Sequence, residues 1–191
     1  MATSPTIVAY DRPLTYDDLL AMPDDGLRRE IINGELIVNP APEANHQRIL
    51  GSIYRLLDDY ALETHRGEVF MAPFDVILTR FDAVQPDLVF LLASHGRVPD
   101  HDHAINYPPD VAVEILSPSS RGTDRVRKMA LYARAGVPEY WLADPAQRVL
   151  TVHHLQGDEY ITAAPDADGV LESRVLPGLR VDPRLVFARL G

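Results

Sequence analysis

The sequence has no cysteine and a single tryptophan, and it contains no long hydrophobic segment. Without cysteine there is neither a disulfide framework nor a thiolate metal site, so zinc ribbons and cysteine nucleophiles are excluded. No apolar run approaches the roughly 18 residues that are needed to span a bilayer. The first residues, MATSPTIVAYDRP, lack the basic start and apolar core of a secretion signal. We therefore expect a cytoplasmic protein that is not associated with a membrane.

Positive charge is also scarce, with 18 Lys and Arg against 28 Asp and Glu, which gives a formal net charge of −10. Proteins that bind the phosphate backbone of nucleic acids commonly carry a basic face, so any such face must be local in this chain. The excess of carboxylates is also what a protein that keeps some of them for metal ions would show. The sequence has neither a Walker loop nor a GxGxxG motif, so a nucleotide cofactor is not supported.

The 191 residues fit one domain, with residues 1–13 as a loose lead-in and residues 14–191 as the folded unit. Within residues 27–40, Asn33-Gly34 favours a type I′ turn between two strands. Apolar periodicity predicts helices at 15–22, 42–66 and 122–135, with a last helical turn near 183–189. Mostly apolar segments predict strands at 68–79, 87–92, 110–116 and 139–144, followed by hairpin strands to about 181. The pattern predicts an α/β or α+β fold, a mixed central β-sheet flanked by helices.

Two carboxylates stand in or beside the apolar strands. Glu114 interrupts the strand at 110–116, and Asp87 opens the strand at 87–92 directly after Pro86. A lone buried carboxylate is costly unless a charged group pairs with it, and for Glu114 alone a structural salt bridge is an alternative interpretation. Two carboxylates at the ends of neighbouring strands repel each other, and a divalent cation removes that repulsion. The pair therefore predicts a metal site.

A stripe of basic and aromatic residues follows Glu114 on the helix predicted at 122–135. The spacings of four, three and four residues place on one face Arg121, Arg125, Lys128 and Tyr132. The apolar residues opposite, including Val126, are predicted to pack against the protein. A solvated helix face is the simpler interpretation of the stripe. In the alternative, Lys128 reaches back to the carboxylates, where it would position a hydroxide nucleophile or neutralise phosphoryl charge.

Two further candidates are His46 and Glu30. His46 lies three residues before Ile49 on the face of the long helix that is predicted to pack, where a histidine is more often a core residue than a ligand. Glu30 lies in the first strand of the hairpin, and periodicity does not decide between a third site carboxylate and a charge on an edge strand.

Four segments together resemble a known family: REIINGELIVNPAPEANHQRI, QPDLVFL, PPDVAVEILSPSS and RKMALYARAGVPEYWLADP. They are similar to the bacterial Uma-two-type restriction endonucleases, within the PD-(D/E)XK nuclease superfamily. The resemblance runs from about residue 14 to about residue 187. It implies the restriction-endonuclease-like fold, a mixed central sheet flanked by helices with a metal site where two strands diverge.

The resemblance also implies roles for individual residues. Asp87 and Glu114 match the acidic pair that binds one or two Mg²⁺ or Mn²⁺ ions. The lysine that the superfamily places two residues after this glutamate is replaced here by Leu116, and Lys128 is expected to supply it from the following helix. The remaining matches are an N-terminal glutamate and a histidine, Glu30 and His46, while the expected contacts to the nucleic-acid backbone come from Arg121, Arg125 and Tyr132.

The implied activity is metal-assisted hydrolysis of phosphodiester bonds in nucleic acid, with DNA as the expected substrate. A symmetric homodimer would be the natural way to cut two strands. Two alternatives stay open. A binding or interaction module that has lost or repurposed the site is favoured by the net charge of −10 and the displaced lysine. A hydrolase of small phosphodiesters would be less hindered by an acidic surface.

Overall fold

The computed structural model describes residues 5–98, 103–117 and 123–191, with the side chains of residues 123–125 also outside the description. The α-helices within these ranges are α1 (Tyr16–Leu20), α2 (Ala44–Thr64), α3 (Thr123–Ala135) and α4 (Pro183–Val186). The first strands are β1 (Thr6–Val8), β2 (Arg28–Ile32), β3 (Glu35–Asn39), β4 (Gly67–Met71), β5 (Asp75–Thr79), β6 (Asp82–Val84) and β7 (Leu88–Leu92). The later strands are β8 (Ala104–Ile105), β9 (Val111–Ile115), β10 (Glu139–Asp144), β11 (Val149–Gln156), β12 (Glu159–Thr162), β13 (Leu171–Glu172) and β14 (Arg180–Val181).

The first of two six-stranded sheets has the order β1-β3-β2-β6-β5-β8. Its central hairpin, β2 and β3, turns at Asn33-Gly34, where the φ angles of 52° and 77° are both positive, as the predicted type I′ turn requires. A Cβ at Gly34 would lie only 2.6 Å from the Cβ of Pro13, so the turn is packed closely against the entry to α1. This sheet is mixed, because β8 runs parallel to β5 while the other pairs are antiparallel.

The second sheet has the order β12-β11-β10-β9-β7-β4 and is mixed as well, with β9 and β10 parallel. One face is covered by α2 and the C-terminal segment around α4, and the other face by α3 and the first sheet. The strands β7, β9 and β10 are buried on both faces, which explains their nearly uninterrupted apolar sequences. The predicted α+β fold with flanking helices is therefore confirmed, with two large sheets where the sequence predicted one.

Helix α2 packs against the second sheet through residues spaced by four and three. Ile49, Ile53, Leu57 and Tyr60 are buried, and the helix ends where His65 takes a left-handed conformation with φ of 54°. The described residues include no helix that is long and apolar enough to cross a membrane.

Several strands differ from the prediction. The single strand expected at 68–79 is two strands in different sheets, β4 and β5, separated by the cis Ala72–Pro73 peptide bond. Strands β6 and β8 were not predicted, since each has three residues or fewer and no pattern of period two. The segment expected as a loose lead-in contains β1, which pairs with β3 at the edge of the first sheet.

One of the links between the two sheets, from β6 to β7, positions the site described below. The chain leaves the first sheet at the end of β6, passes through Gln85, Pro86 and Asp87, and enters the second sheet at β7. Residues of both sheets therefore approach one another around these three positions.

Candidate active site

Asp87 and Glu114 come together because β7 and β9 are antiparallel neighbours. Leu88 pairs with Val113, so the residue before β7 lies beside the penultimate residue of β9. The backbone N–H of Ile115 donates a hydrogen bond to Oδ2 of Asp87 at 2.8 Å. Both carboxylates are buried, with 3% of Asp87 and 8% of Glu114 exposed. The structure thus brings the predicted acidic pair into one cluster.

Lys128 of α3 reaches this cluster. Its Nζ lies 3.0 Å from Oε1 of Glu114 and 2.9 Å from Oε1 of Glu30. One helical turn later, the hydroxyl of Tyr132 donates to the same Oε1 of Glu114 at 2.7 Å. Only 4% of Lys128 is exposed, so the ammonium bridges two buried carboxylates rather than facing solvent.

Glu30 is fully buried in β2, between β3 and β6, and is therefore not an edge-strand charge. Its Oε1 accepts hydrogen bonds from Lys128 and, at 2.7 Å, from the backbone N–H of Gln85. Its Oε2 accepts from the side-chain amide of Asn39 at 2.6 Å. Gln85 and Asn39 therefore fix the carboxylate of Glu30 through its two oxygens. The fixed carboxylate in turn holds the ammonium of Lys128 in place.

His46 and Arg28 both contact Asp87. The Nε2 of His46, on the buried face of α2, lies 3.0 Å from Oδ2 of Asp87. Arg28, near the start of β2, donates from Nη1 to Oδ1 of Asp87 at 2.9 Å and from Nη2 to the carbonyl oxygen of Gln85.

Three residues of the cluster were not predicted from the sequence: Arg28, Asn39 and Gln85. Arg28 precedes Glu30 by two residues, so the period of a β-strand places both side chains on one face, and this signal was available. Gln85 acts through its backbone, and its contribution carries no signal in the sequence.

The basic stripe of α3 has a different outcome from the prediction. Tyr132 is fully buried between Glu114 and Tyr140, whose ring centroid lies 5.3 Å away, so the prediction that Tyr132 contacts nucleic acid is wrong. The predicted packed side is also wrong at Val126, which is 66% exposed. The helix buries Lys128 and Tyr132 because the carboxylates of Glu30 and Glu114 supply partners for them. Arg121 and the side chain of Arg125 lie outside the described residues.

Burial and the neighbouring charges shift the carboxylates in different directions. Burial raises the pKa of Glu114 to about 7, and the charge of Lys128 offsets only part of this effect. Burial would also raise the pKa of Asp87, but the charge of Arg28 and the hydrogen bond from His46 bring it below its ordinary value. The pKa of Glu30 is likewise lowered against the effect of burial, mainly by Lys128 and Arg28.

The charges of the cluster favour a cation. Once Glu114 is ionised, the three carboxylates of Glu30, Asp87 and Glu114 outnumber the two cations that contact them, Arg28 and Lys128. The Oε2 of Glu114 accepts no hydrogen bond from the part of the chain that the structure describes. One or two protein carboxylates are a donor set that suits Mg²⁺ or Mn²⁺, whose remaining ligands are commonly water and substrate oxygens. No group of three or more His, Asp or Glu side chains among the described residues is placed to hold a metal ion.

Comparisons with known proteins agree with this architecture. The Uma2 family model, described as "Putative restriction endonuclease", matches residues 16–184. An uncharacterized protein of Synechocystis sp. is 26% identical over 152 residues, which cover 78% of this chain and 84% of that protein. The crystal structure of a "putative nuclease belonging to DUF820" from Anabaena variabilis superimposes with a TM-score of 0.77. At 22% identity, this structure covers 92% of the present chain and 98% of its own, and it shows the same fold.

Proposed function

The chain belongs to the Uma2 family, and we propose that it is a divalent-metal-dependent endonuclease that hydrolyses phosphodiester bonds of nucleic acid, with DNA as the expected substrate. The observation that carries this proposal is the convergence of Asp87 and Glu114, buried at the junction of the two sheets, with the Nζ of Lys128 3.0 Å from Glu114. A carboxylate pair can hold a divalent ion, and a buried ammonium beside it can stabilise the negative charge that develops during phosphodiester hydrolysis.

Asp87 and Glu114 would hold Mg²⁺ or Mn²⁺ in this proposal. A bound divalent ion would lower the pKa of a coordinated water and neutralise charge on the phosphate. The protein groups around it act by orientation. His46 and the N–H of Ile115 fix the Asp87 carboxylate, while Tyr132 fixes the Glu114 carboxylate.

Lys128 would orient the attacking water or stabilise the negative charge that develops on the phosphoryl oxygens. Glu30 supports it by holding the ammonium from the side of the first sheet, at 2.9 Å. Glu30 is itself held by Gln85 and Asn39, so we propose that it is a positioning residue for Lys128. Arg121 and Arg125 remain candidates for contacts with the nucleic-acid backbone, and a symmetric homodimer remains the proposed assembly.

The acidic composition favours one other substrate class. A formal net charge of −10 disfavours long polyanions more than small phosphodiesters. Binding of a long DNA duplex should weaken steeply as salt is raised if the protein contacts several phosphates, whereas a small substrate would show a shallow dependence. A shallow slope together with hydrolysis of a small phosphodiester would therefore replace the nuclease assignment.

The proposed function is tested by Mn²⁺ calorimetry and plasmid nicking on the same preparations. The variants are Asp87→Asn, Glu114→Gln and, as a matched control, Asp82→Asn. Asp82 is a buried carboxylate of the first sheet that accepts from Asn33 N–H and Thr79, away from the cluster. We expect the first two substitutions to abolish both metal binding and nicking, and the control to retain both. A wild-type protein that binds no Mn²⁺ would exclude the metal-dependent mechanism.

A further inference from the structure

The guanidinium of Arg28 contacts Asp87 and leaves one of its own donors unpaired among the described residues. Its Nη1 and Nη2 donate to Asp87 and to the carbonyl oxygen of Gln85. Its Nε is buried and has no hydrogen-bond partner among the described residues. Buried polar groups are rarely left unpaired, because the loss of hydration is then not recovered. The guanidinium therefore has an unused donor directly beside the proposed metal ligand.

The two oxygens of Asp87 have different surroundings. Oδ2 accepts from the N–H of Ile115 at 2.8 Å and lies 3.0 Å from Nε2 of His46. Oδ1 accepts only from Arg28, at 2.9 Å, among the residues that the structure describes. A metal ion held by Asp87 would take Oδ1, which is the less saturated oxygen. Since a divalent cation and a guanidinium repel each other strongly at such distances, the two compete for one position.

We propose that Arg28 is a built-in counter-cation that occupies the metal position on Asp87, that a divalent ion displaces it, and that the displaced guanidinium then binds the substrate phosphate. The proposal rests on the proposed function, since it takes Asp87 as a metal ligand. In the absence of metal, Arg28 compensates the charge of a carboxylate that is only 4% exposed. A buried carboxylate without such a partner would be strongly unfavourable.

The displaced guanidinium is suited to a phosphate. Its side chain is 24% exposed, so it reaches the solvent-facing side of the cluster while Asp87 does not. The planar fork of an arginine matches two phosphate oxygens. A phosphate would also offer Nε the hydrogen-bond partner that it lacks among the described residues. When the guanidinium of Arg28 leaves Asp87 and binds the phosphate, it would still have a negatively charged partner, both before and after the metal binds.

The first test measures the affinity for Mn²⁺ alone, by calorimetry, in Arg28→Gln and in Arg29→Gln as the matched control. Arg29 is the next residue of β2, but its guanidinium pairs with the exposed Asp25 at 2.7 Å. Removal of the competing charge should tighten Mn²⁺ binding about tenfold in Arg28→Gln and change it by less than about twofold in Arg29→Gln. Unchanged or weaker binding in Arg28→Gln would overturn the proposal.

Arg28→Lys protects this test against loss of folding in the Gln variant, because it keeps a cation at the same position. We expect its Mn²⁺ affinity to stay within about threefold of wild type. Tightening equal to that of Arg28→Gln would show that the charge does not compete with metal and would also overturn the proposal. Circular dichroism of each variant would establish that the compared proteins are folded.

The second test measures binding of a fluorescein-labelled DNA duplex by anisotropy in Ca²⁺. Arg28→Gln should bind the duplex about tenfold more weakly than wild type, and Arg29→Gln should bind it about as well as wild type. Equal weakening in both variants would overturn the phosphate role of Arg28. Failure of the proposed function looks different: wild-type protein would bind no Mn²⁺, or Asp87→Asn would bind it as well as wild type.

Discussion

Glu114→Gln is predicted to change the way in which the stability of the protein depends on pH. Burial, only partly offset by Lys128, raises the pKa of Glu114 from its ordinary value of 4.5 to about 7. A raised pKa means that folding favours the protonated carboxyl. The stability that this group contributes is therefore fully present below pH 4.5 and is lost as the pH rises through about 7.

The expected loss can be estimated from these two values. A pKa that rises from 4.5 to about 7 corresponds to about 3 kcal/mol in the free energy of unfolding once both states are ionised, above about pH 8. Near about pH 5 the same relation gives only about 1 kcal/mol. A glutamine keeps an amide oxygen for the hydrogen bonds from Lys128 and Tyr132 but carries no charge. Without metal, Glu114→Gln should therefore be more stable than wild type by about 3 kcal/mol at about pH 8. At about pH 5 the difference should fall to about 1 kcal/mol.

The assay is urea unfolding with a chelator present, followed through the fluorescence of Trp141, the single tryptophan, which is fully buried. Glu63→Gln makes the same chemical change at an exposed position of α2 and serves as the control. A Glu114→Gln protein that is less stable than wild type near about pH 8, or that has the same pH dependence as wild type, would refute this account of the buried cluster.

Three further predictions concern metal, lysine and tyrosine. The affinity of wild type for Mn²⁺ should rise about tenfold per pH unit between about pH 5 and 7, because each bound ion would displace the proton of Glu114. Calorimetry in buffers of different ionisation enthalpy would count that proton. Lys128→Met should reduce plasmid nicking at least about 100-fold while Mn²⁺ binding is kept, and persistent nicking would exclude a catalytic role for Lys128. Tyr132→Phe should weaken Mn²⁺ binding below about pH 7, because the carboxylate of Glu114 loses a hydrogen-bond donor that favours its ionised form. The affinity for DNA should not change. A selective loss of DNA binding would contradict the role of Tyr132 as a donor to Glu114.

Those parts of the fold that depend on local chemistry could be predicted from the sequence. Asn33-Gly34 requires positive φ at both positions, and the apolar spacing of α2 follows from its single buried face. The apolar strands at β7 and β9 are covered on both faces, so their burial is visible without knowledge of their partners. The acidic residues that interrupt or open these strands were therefore conspicuous.

Other features depend on which elements meet, which residue patterns do not record. The segment at 68–79 is apolar along its length, but its two halves join different sheets. The stripe containing Lys128 and Tyr132 has the composition of a solvated face, yet these two residues are buried because Glu30 and Glu114 lie opposite them. Hydropathy alone identifies the buried side of a helix only where the protein core offers no residues of opposite charge to pair with the charged side.

The position of Lys128 is explained by the side of the second sheet from which its helix approaches. Leu116 follows Glu114 by two residues, so both side chains leave β9 and its extension on the side covered by α3. Leu116 is 6% exposed and packs in the cluster that includes Leu131 and Tyr132, so it fills the space with apolar surface. Lys128 enters the same space from α3 and places its ammonium 3.0 Å from Glu114. An ammonium supplied from a helix, however, needs its own anchor, and Glu30 provides one from the opposite sheet. The site therefore depends on contact between the two sheets, so a substitution that separates them should release Lys128 even where Asp87 and Glu114 stay in place.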